Sequence, residues 1–251
     1  MLSAYFDLSE THDDKTGITS VAGYVALDTE WEKVGKEWQA ALNYWNVGEK
    51  FHLSKLKLNP AIGHTNYDLC LGYFSNIIKN SKLHPIGAAL YDDDWHQTDW
   101  GDITTNRLNS PYEQCLDLAL TALGNFTNTH LRYQGKNLAI VCDPDKPDEV
   151  ISKVFRTQQK KYPQFKSLTT ESSHQVVPLQ CADLGTGLLR QSWKEIFDGV
   201  VESELAFGSM PSGGMGQTSF WSLRGGYVIS RAVQITQARD TAKKSRVNRG
   251  S

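Results

Sequence analysis

No apolar run in the 251-residue chain approaches the roughly 18–20 residues that a membrane-spanning helix needs. No signal peptide opens it, and Met1 leads straight into a strand pattern, so the N-terminus is expected to be structural and the protein cytoplasmic. Cysteine is scarce: Cys70, Cys115, Cys142 and Cys181 sit among apolar neighbours without any CxxC spacing. They are therefore expected to be buried free thiols in a reducing compartment, not disulfides or a zinc site. There is no GxxxxGK[ST] loop, no GxGxxG after a strand, no GxSxG elbow and no Ser-His-Asp order. These absences argue against a P-loop NTPase, a dinucleotide-binding enzyme and a serine hydrolase. Internal repeats and low-complexity blocks are also missing.

What is present is an ordinary globular composition, 39% hydrophobic and 22% charged, with length for one large domain or a core with an insertion. The net charge of −2 conceals an asymmetry. Arg231 to Ser251 holds six basic residues (Arg231, Arg239, Lys243, Lys244, Arg246, Arg249) against the single acid Asp240. Lys153 to Lys166 adds Lys153, Arg156, Lys160, Lys161 and Lys166 with no acid. Such segments can hold a phosphate backbone, although basic tails and helix faces are often merely solvated.

Periodicity divides the chain. Residues 3–8 read as a strand that forms a hairpin with the β-branched stretch Ile18 to Leu27. Asp28-Thr29-Glu30 is expected to cap a helix through about residue 46, with Trp31, Val34, Trp38, Ala41, Leu42 and Trp45 at helical spacing. The Trp31, Trp38, Trp45 stripe reads as core packing, or alternatively as a self-association or partner face. A short element near Phe51 and a helix from about Asn66 to Lys79 follow. His84 to Tyr91 is a third strand, residues 92–110 a long loop, and Pro111 opens a helix to about Asn125. Leu138 to Cys142 is a fourth strand, Lys146 to Lys161 a helix, Ser167 to Ser172 a fifth strand, and Leu179 to Phe197 a helix after Pro178. Gly-rich turns and one helix from about Gly226 precede a disordered end.

With residues 31–80 set aside as a helical insertion between strands 2 and 3, this order is βββαβαβα. It matches an α/β ribonuclease H-like fold, a mixed five-stranded sheet flanked by helices. Residues 1–230 are thus expected to form one domain, and 231–251 a basic C-terminal helix and tail.

Asp7, Asp143 and Asp183 lie within or at the ends of apolar stretches, and Glu113 in a first helical turn. A buried carboxylate costs several kcal/mol unless cations or hydrogen bonds compensate it, so a shared divalent metal accounts for several at once. Each also has a plainer role: Asp7 on a solvated edge strand, Glu113 favouring the helix dipole with Asp117 as its rival, Asp143 as a turn residue before Pro144. Asp183, apolar on both sides, is the hardest to explain that way. Gln180, one turn earlier, can orient a ligand or substrate. His52 and Lys55 share a helical face at i, i+3 spacing; His52 can serve as proton shuttle and Lys55 can meet a substrate phosphate, unless both are simply solvated. His12 and His174 fall in loops, and Ser9 at a strand end.

The segments Asp7-x-Ser9, Val21-Ala22-Gly23-Tyr24-Val25-Ala26, Trp31 with Trp38, Phe51-His52-Leu53-Ser54-Lys55-Leu56 and Leu179-Gln180-Cys181-Ala182-Asp183-Leu184 follow one another in a familiar order. Together they resemble the uncharacterised family designated domain of unknown function 3800, regarded as ribonuclease H-like, over about residues 3 to 195. Members usually open with Asp-Glu-Ser-Gly, where this chain has Asp7-Leu8-Ser9-Glu10. The resemblance implies a carboxylate site of Asp7, Glu113, Asp143 and Asp183, with oxygen ligands suited to Mg²⁺ or Mn²⁺. Two such ions about 4 Å apart would support hydrolysis of RNA or DNA phosphodiesters, leaving 5′-phosphate and 3′-hydroxyl ends. The expected protein is then a metal-dependent nuclease (a hydrolase), with a bacterial or phage conflict system as its suggested setting. Expected partners are nucleic acid and a second copy or another protein, but no membrane. A nucleotide phosphohydrolase using the same acids, and a non-catalytic binding or adaptor protein on this scaffold, are the alternatives.

Overall fold

The computed structural model describes residues 1–9, 17–48, 51–56, 58–91, 108–143, 148–173 and 176–197. Five strands form one mixed sheet: β1 (Leu2–Ser9), β2 (Ile18–Leu27), β3 (His84–Tyr91), β4 (Leu138–Cys142) and β5 (Phe165–Thr170). Their spatial order is β3-β2-β1-β4-β5. β1 pairs antiparallel with β2 and parallel with β4; β2–β3 is antiparallel and β4–β5 parallel. Three helices lie between β2 and β3 in the chain, namely α1 (Asp28–Tyr44), α2 (Leu53–Leu56) and α3 (Gly63–Lys79). Then come α4 (Pro111–Thr129), α5 (Asp148–Lys161) and α6 (Val177–Phe197). The helical insertion and the alternation that follows it are as expected from the sequence.

Helices cover both faces of the sheet. Leu2, Ala4, Phe6 and Leu8 of β1 join Val21, Val25, Ile86 and Leu90 in one core with α4 and α5. Tyr24 and Ala26 face the other way, into a core with Trp31, Trp38, Phe51, Phe74 and Leu184, and Tyr5 packs against it. Because side chains alternate along a strand, Asp7 shares the face of Tyr5, the face that α6 covers. β1 is thus a central strand, and Asp7 is 8% exposed, so the solvated-edge reading of this residue does not hold. The close approach of β1 to β2 depends on Gly23, where a Cβ would lie 1.8 Å from the Tyr5 carbonyl oxygen.

Trp31 and Trp38 are buried and Trp45 is partly so, which settles this stripe as core packing. All four cysteines are buried and free. Asp28 departs from its expected role: it lies within α1, after an extended Leu27 that makes no side-chain cap. Its carboxylate instead accepts a hydrogen bond from Ser3 Oγ (2.7 Å) and pairs with the Met1 amino group (3.2 Å), partners stronger than the helix's own N–H groups. Ser110 does cap α4, accepting from the Glu113 N–H, with Pro111 in the first turn. β5 starts at Phe165, two residues earlier than expected, because Phe165 alone of its residues is fully buried and an edge strand leaves little apolar pattern. No helix among the described residues is long and apolar enough to cross a membrane. The expectations for Glu10, His12, residues 92–107, Pro144, His174 and the segment after Phe197, including 231–251, lie outside the described residues.

Candidate functional site at the carboxyl ends of β1 and β4

Three of the four acids are drawn to one end of the sheet by separate devices. The parallel β1–β4 ladder continues one step past β4, where the Asp143 N–H donates to the Phe6 carbonyl (3.0 Å) and brings Asp143 alongside Asp7. Asp143 is 8% exposed, and its Oδ2 accepts from the Ser173 N–H (2.9 Å), tying down the turn after β5. On α6 the buried Thr186 hydroxyl lies 2.9 Å from the Ala182 carbonyl, 3.1 Å from that of Ala22 and 3.3 Å from that of Asp7. This contact seats the helix on β1 and β2 at the level of Asp7, and Asp183 lies one turn earlier on the same helix face.

Electrostatics report the convergence. Burial pushes the Asp183 carboxyl above the usual carboxylate range; the Asp143 charge adds to this, while His52, the Leu53 N–H and Arg190 oppose it. The Cys142 thiol is pushed up to about 12, first by burial and then by the Asp143 and Asp7 charges. The Asp143 charge thus reaches both Asp183 and Cys142, and the Asp7 charge reaches Cys142. Among the described residues, however, no three His, Cys, Asp or Glu side chains are gathered closely enough to form a ready-made metal cage.

Two of these carboxylates already have work within the fold. Asp183 Oδ2 accepts a short hydrogen bond from the Leu53 N–H (2.7 Å). His52 Nδ1 stands 3.6 Å from the same oxygen and 3.2 Å from Ser54 Oγ, with its side chain more than a third exposed. His52 therefore faces Asp183 on one side and solvent on the other. Lys55 is exposed in α2, one turn along.

Glu113 is placed differently. The Cys115 thiol donates to the Thr19 carbonyl, and Thr19 pairs with Leu90, so the start of α4 lies at the same end of the sheet. α4, however, packs on the face opposite α6. The Glu113 carboxylate, 6% exposed, accepts from Asn109 Nδ2 (3.1 and 3.2 Å) and lies 3.5 Å from Lys153 Nζ. Its rival Asp117 bonds Gln158 of α5. Arg156, Lys160, Lys161 and Lys166 are exposed on α5 and the start of β5.

Two contributors did not stand out in the sequence, and a third was given another role. Thr186 and Arg190 follow Asp183 at i+3 and i+7, a spacing that marks one helical face and could have pointed to them. Gln180 was singled out, but as a residue for ligands; its Oε1 instead accepts from both Trp38 Nε1 (3.0 Å) and the Phe51 N–H (3.2 Å). No local pattern announces bonds between residues 129 to 142 positions apart. Compared with known proteins, the chain matches no family model, no curated protein and no solved structure.

Proposed function

We propose that the protein is a metal-dependent nuclease on a ribonuclease H-like scaffold, similar to the family designated domain of unknown function 3800. The observation that carries this reading is the meeting of Asp7, Asp143 and Asp183 at the carboxyl ends of two adjacent parallel strands, where open α/β sheets bind ligands. The element order βββαβαβα around the inserted helices supports it. Carboxylate oxygens suit a hard divalent cation, and a positive charge would offset the burial and the Asp143 charge that raise the Asp183 carboxyl. Asp7, Asp143 and Asp183 would hold Mg²⁺ or Mn²⁺, which would supply an activated water and charge stabilisation at a phosphodiester. Glu113 would join them only after release from Asn109 and Lys153. Water adds to phosphorus as the bond to the leaving oxygen breaks, and His52 hands that oxygen its proton. Lys55 meets a substrate phosphate, while Arg156, Lys160, Lys161 and Lys166 hold the nucleic-acid backbone.

A second reading rests on the engaged carboxylates. Asp183 anchors Leu53, and Glu113 is bound by Asn109 and Lys153, roles that suit a non-catalytic binding scaffold.

Cleavage of labelled RNA and DNA with Mg²⁺, Mn²⁺ or EDTA, comparing wild type with Asp183→Asn, separates the two. The nuclease reading expects metal-dependent cleavage that falls at least about 10³-fold in the variant. It also expects the variant to melt higher at pH 8, by roughly 2–4 °C, because Asn can still accept from Leu53 while the buried charge is gone. Absence of both cleavage and calorimetric metal binding would leave the scaffold reading. Hydrolysis of free nucleotides alone would point to the phosphohydrolase.

A further inference from the structure

We propose that Gln180 and Gly187 are positioning residues, which seat the strap Phe51–Leu56 on α6 so that Leu53 and His52 engage Asp183. The inference rests on the reading of Asp183 and His52 as parts of an active site. The strap is held at three points. Gln180, 2% exposed, uses one oxygen to accept from the Phe51 N–H and from Trp38 Nε1, joining the strap to α1 and α6 together. The Phe51 ring is fixed 5.1 Å from that of Trp38 and 4.7 Å from that of Phe74. Leu53 then grips α6 twice, through its N–H to Asp183 and through its side chain at Gly187, where a Cβ would meet Leu53 Cδ2 at 2.1 Å. Asp183 and Gly187 are four residues apart, so both grips fall on one helix face.

What the strap delivers is orientation. His52 is more than a third exposed; its Nδ1 lies 3.6 Å from Asp183 Oδ2 and 3.2 Å from Ser54 Oγ within the strap. Left on a free segment it would sample many positions; seated, its Nδ1 side is turned to Asp183. A proton-transfer group placed in this way reacts far faster than one that must find its position.

Gly187→Ala tests this without threatening the fold, because alanine favours a helix interior over glycine while its methyl group takes the space of Leu53 Cδ2 and turns that side chain off the helix. Gln180→Met removes the shared acceptor at similar volume. In Gly187→Ala and Gln180→Met, Leu53 amide exchange should accelerate at least about 10-fold. kcat should fall about 10- to 100-fold with KM within about twofold. Unchanged Leu53 exchange would overturn the proposal, as would a loosened strap with wild-type kcat. Should the wild type itself prove inactive, the nuclease reading fails on that result. Leu53 exchange still decides whether these residues seat the strap.

Discussion

His84 is buried at the start of β3 in an aromatic cluster, its ring 5.0 Å from that of His130, 5.1 Å from Phe126 and 5.5 Å from Tyr133. Its Nε2 and the Tyr133 hydroxyl are buried without a hydrogen-bond partner among the described residues. Arg132 lies nearby and is itself paired with Glu30 at 3.4 Å. Burial, then His130 and Arg132, hold the His84 imidazole down at about 4 against an ordinary 6.5. Since the folded state resists protonation that the unfolded chain accepts, stability is full above about pH 6.5 and is lost as pH falls toward about 4. The loss should be on the order of 2–3 kcal/mol, read from urea unfolding at pH 7 and pH 4.5, and His84→Phe should remove most of it. An equal slope in the variant would assign the acid sensitivity elsewhere. His84 could not be singled out in the sequence, because its character depends on His130 and Arg132, some 46 residues away in the chain.

At the scale of elements, the insertion packs its tryptophans with different consequences. Trp38 is fully buried against Phe51 and Phe74 and donates to Gln180, so Trp38→Ala should cost about 3–5 kcal/mol. Tyr73, stacked on Tyr44 at the surface of α3, should cost within about 0.5 kcal/mol when replaced by Ser. Thermal unfolding of both variants checks the contrast; comparable losses would mean that the surface pair carries packing. Elements of this kind were legible. The β-branched run of β2, the Pro111 start of α4 and the spacing of Trp31, Val34 and Trp38 each declare themselves locally. The start of α1 and the onset of β5 were misplaced where a distant partner, Ser3 for Asp28 or a sheet edge for Lys166, outweighed local propensity. For the site, the sequence gives Asp7, Asp143 and Asp183 as acids in apolar company. It gives nothing of their partners, since Leu53, Ser173 and Phe6 meet them through backbone atoms that any residue possesses.

Across the whole molecule, charge is unevenly spread. Arg156, Lys160 and Lys161 are exposed along α5, and Lys166 follows at the edge strand, whereas Lys153 is occupied by Glu113. If these four cations contact phosphates, reversing them to Glu should weaken binding of a labelled oligonucleotide and flatten its salt dependence. The slope of log K against log salt should fall by up to about 3–4, because each phosphate contact contributes roughly 0.7–0.9. An unchanged slope measured by fluorescence anisotropy would place the nucleic-acid interface on another surface.

The path of the chain through the sheet also sets when the site can exist. β1 is followed by its partner β2 at Ile18, but its other neighbour, β4, begins only at Leu138, and α6 only at Val177. Asp7 therefore leaves the ribosome some 136 residues before Asp143 and 176 before Asp183, at about 5–20 residues per second. For that interval β1 has one open edge and Asp7 has neither companion. If the three acids act together as proposed, a nascent or truncated chain without α6 lacks one of them, and synthesis itself acts as the safety catch.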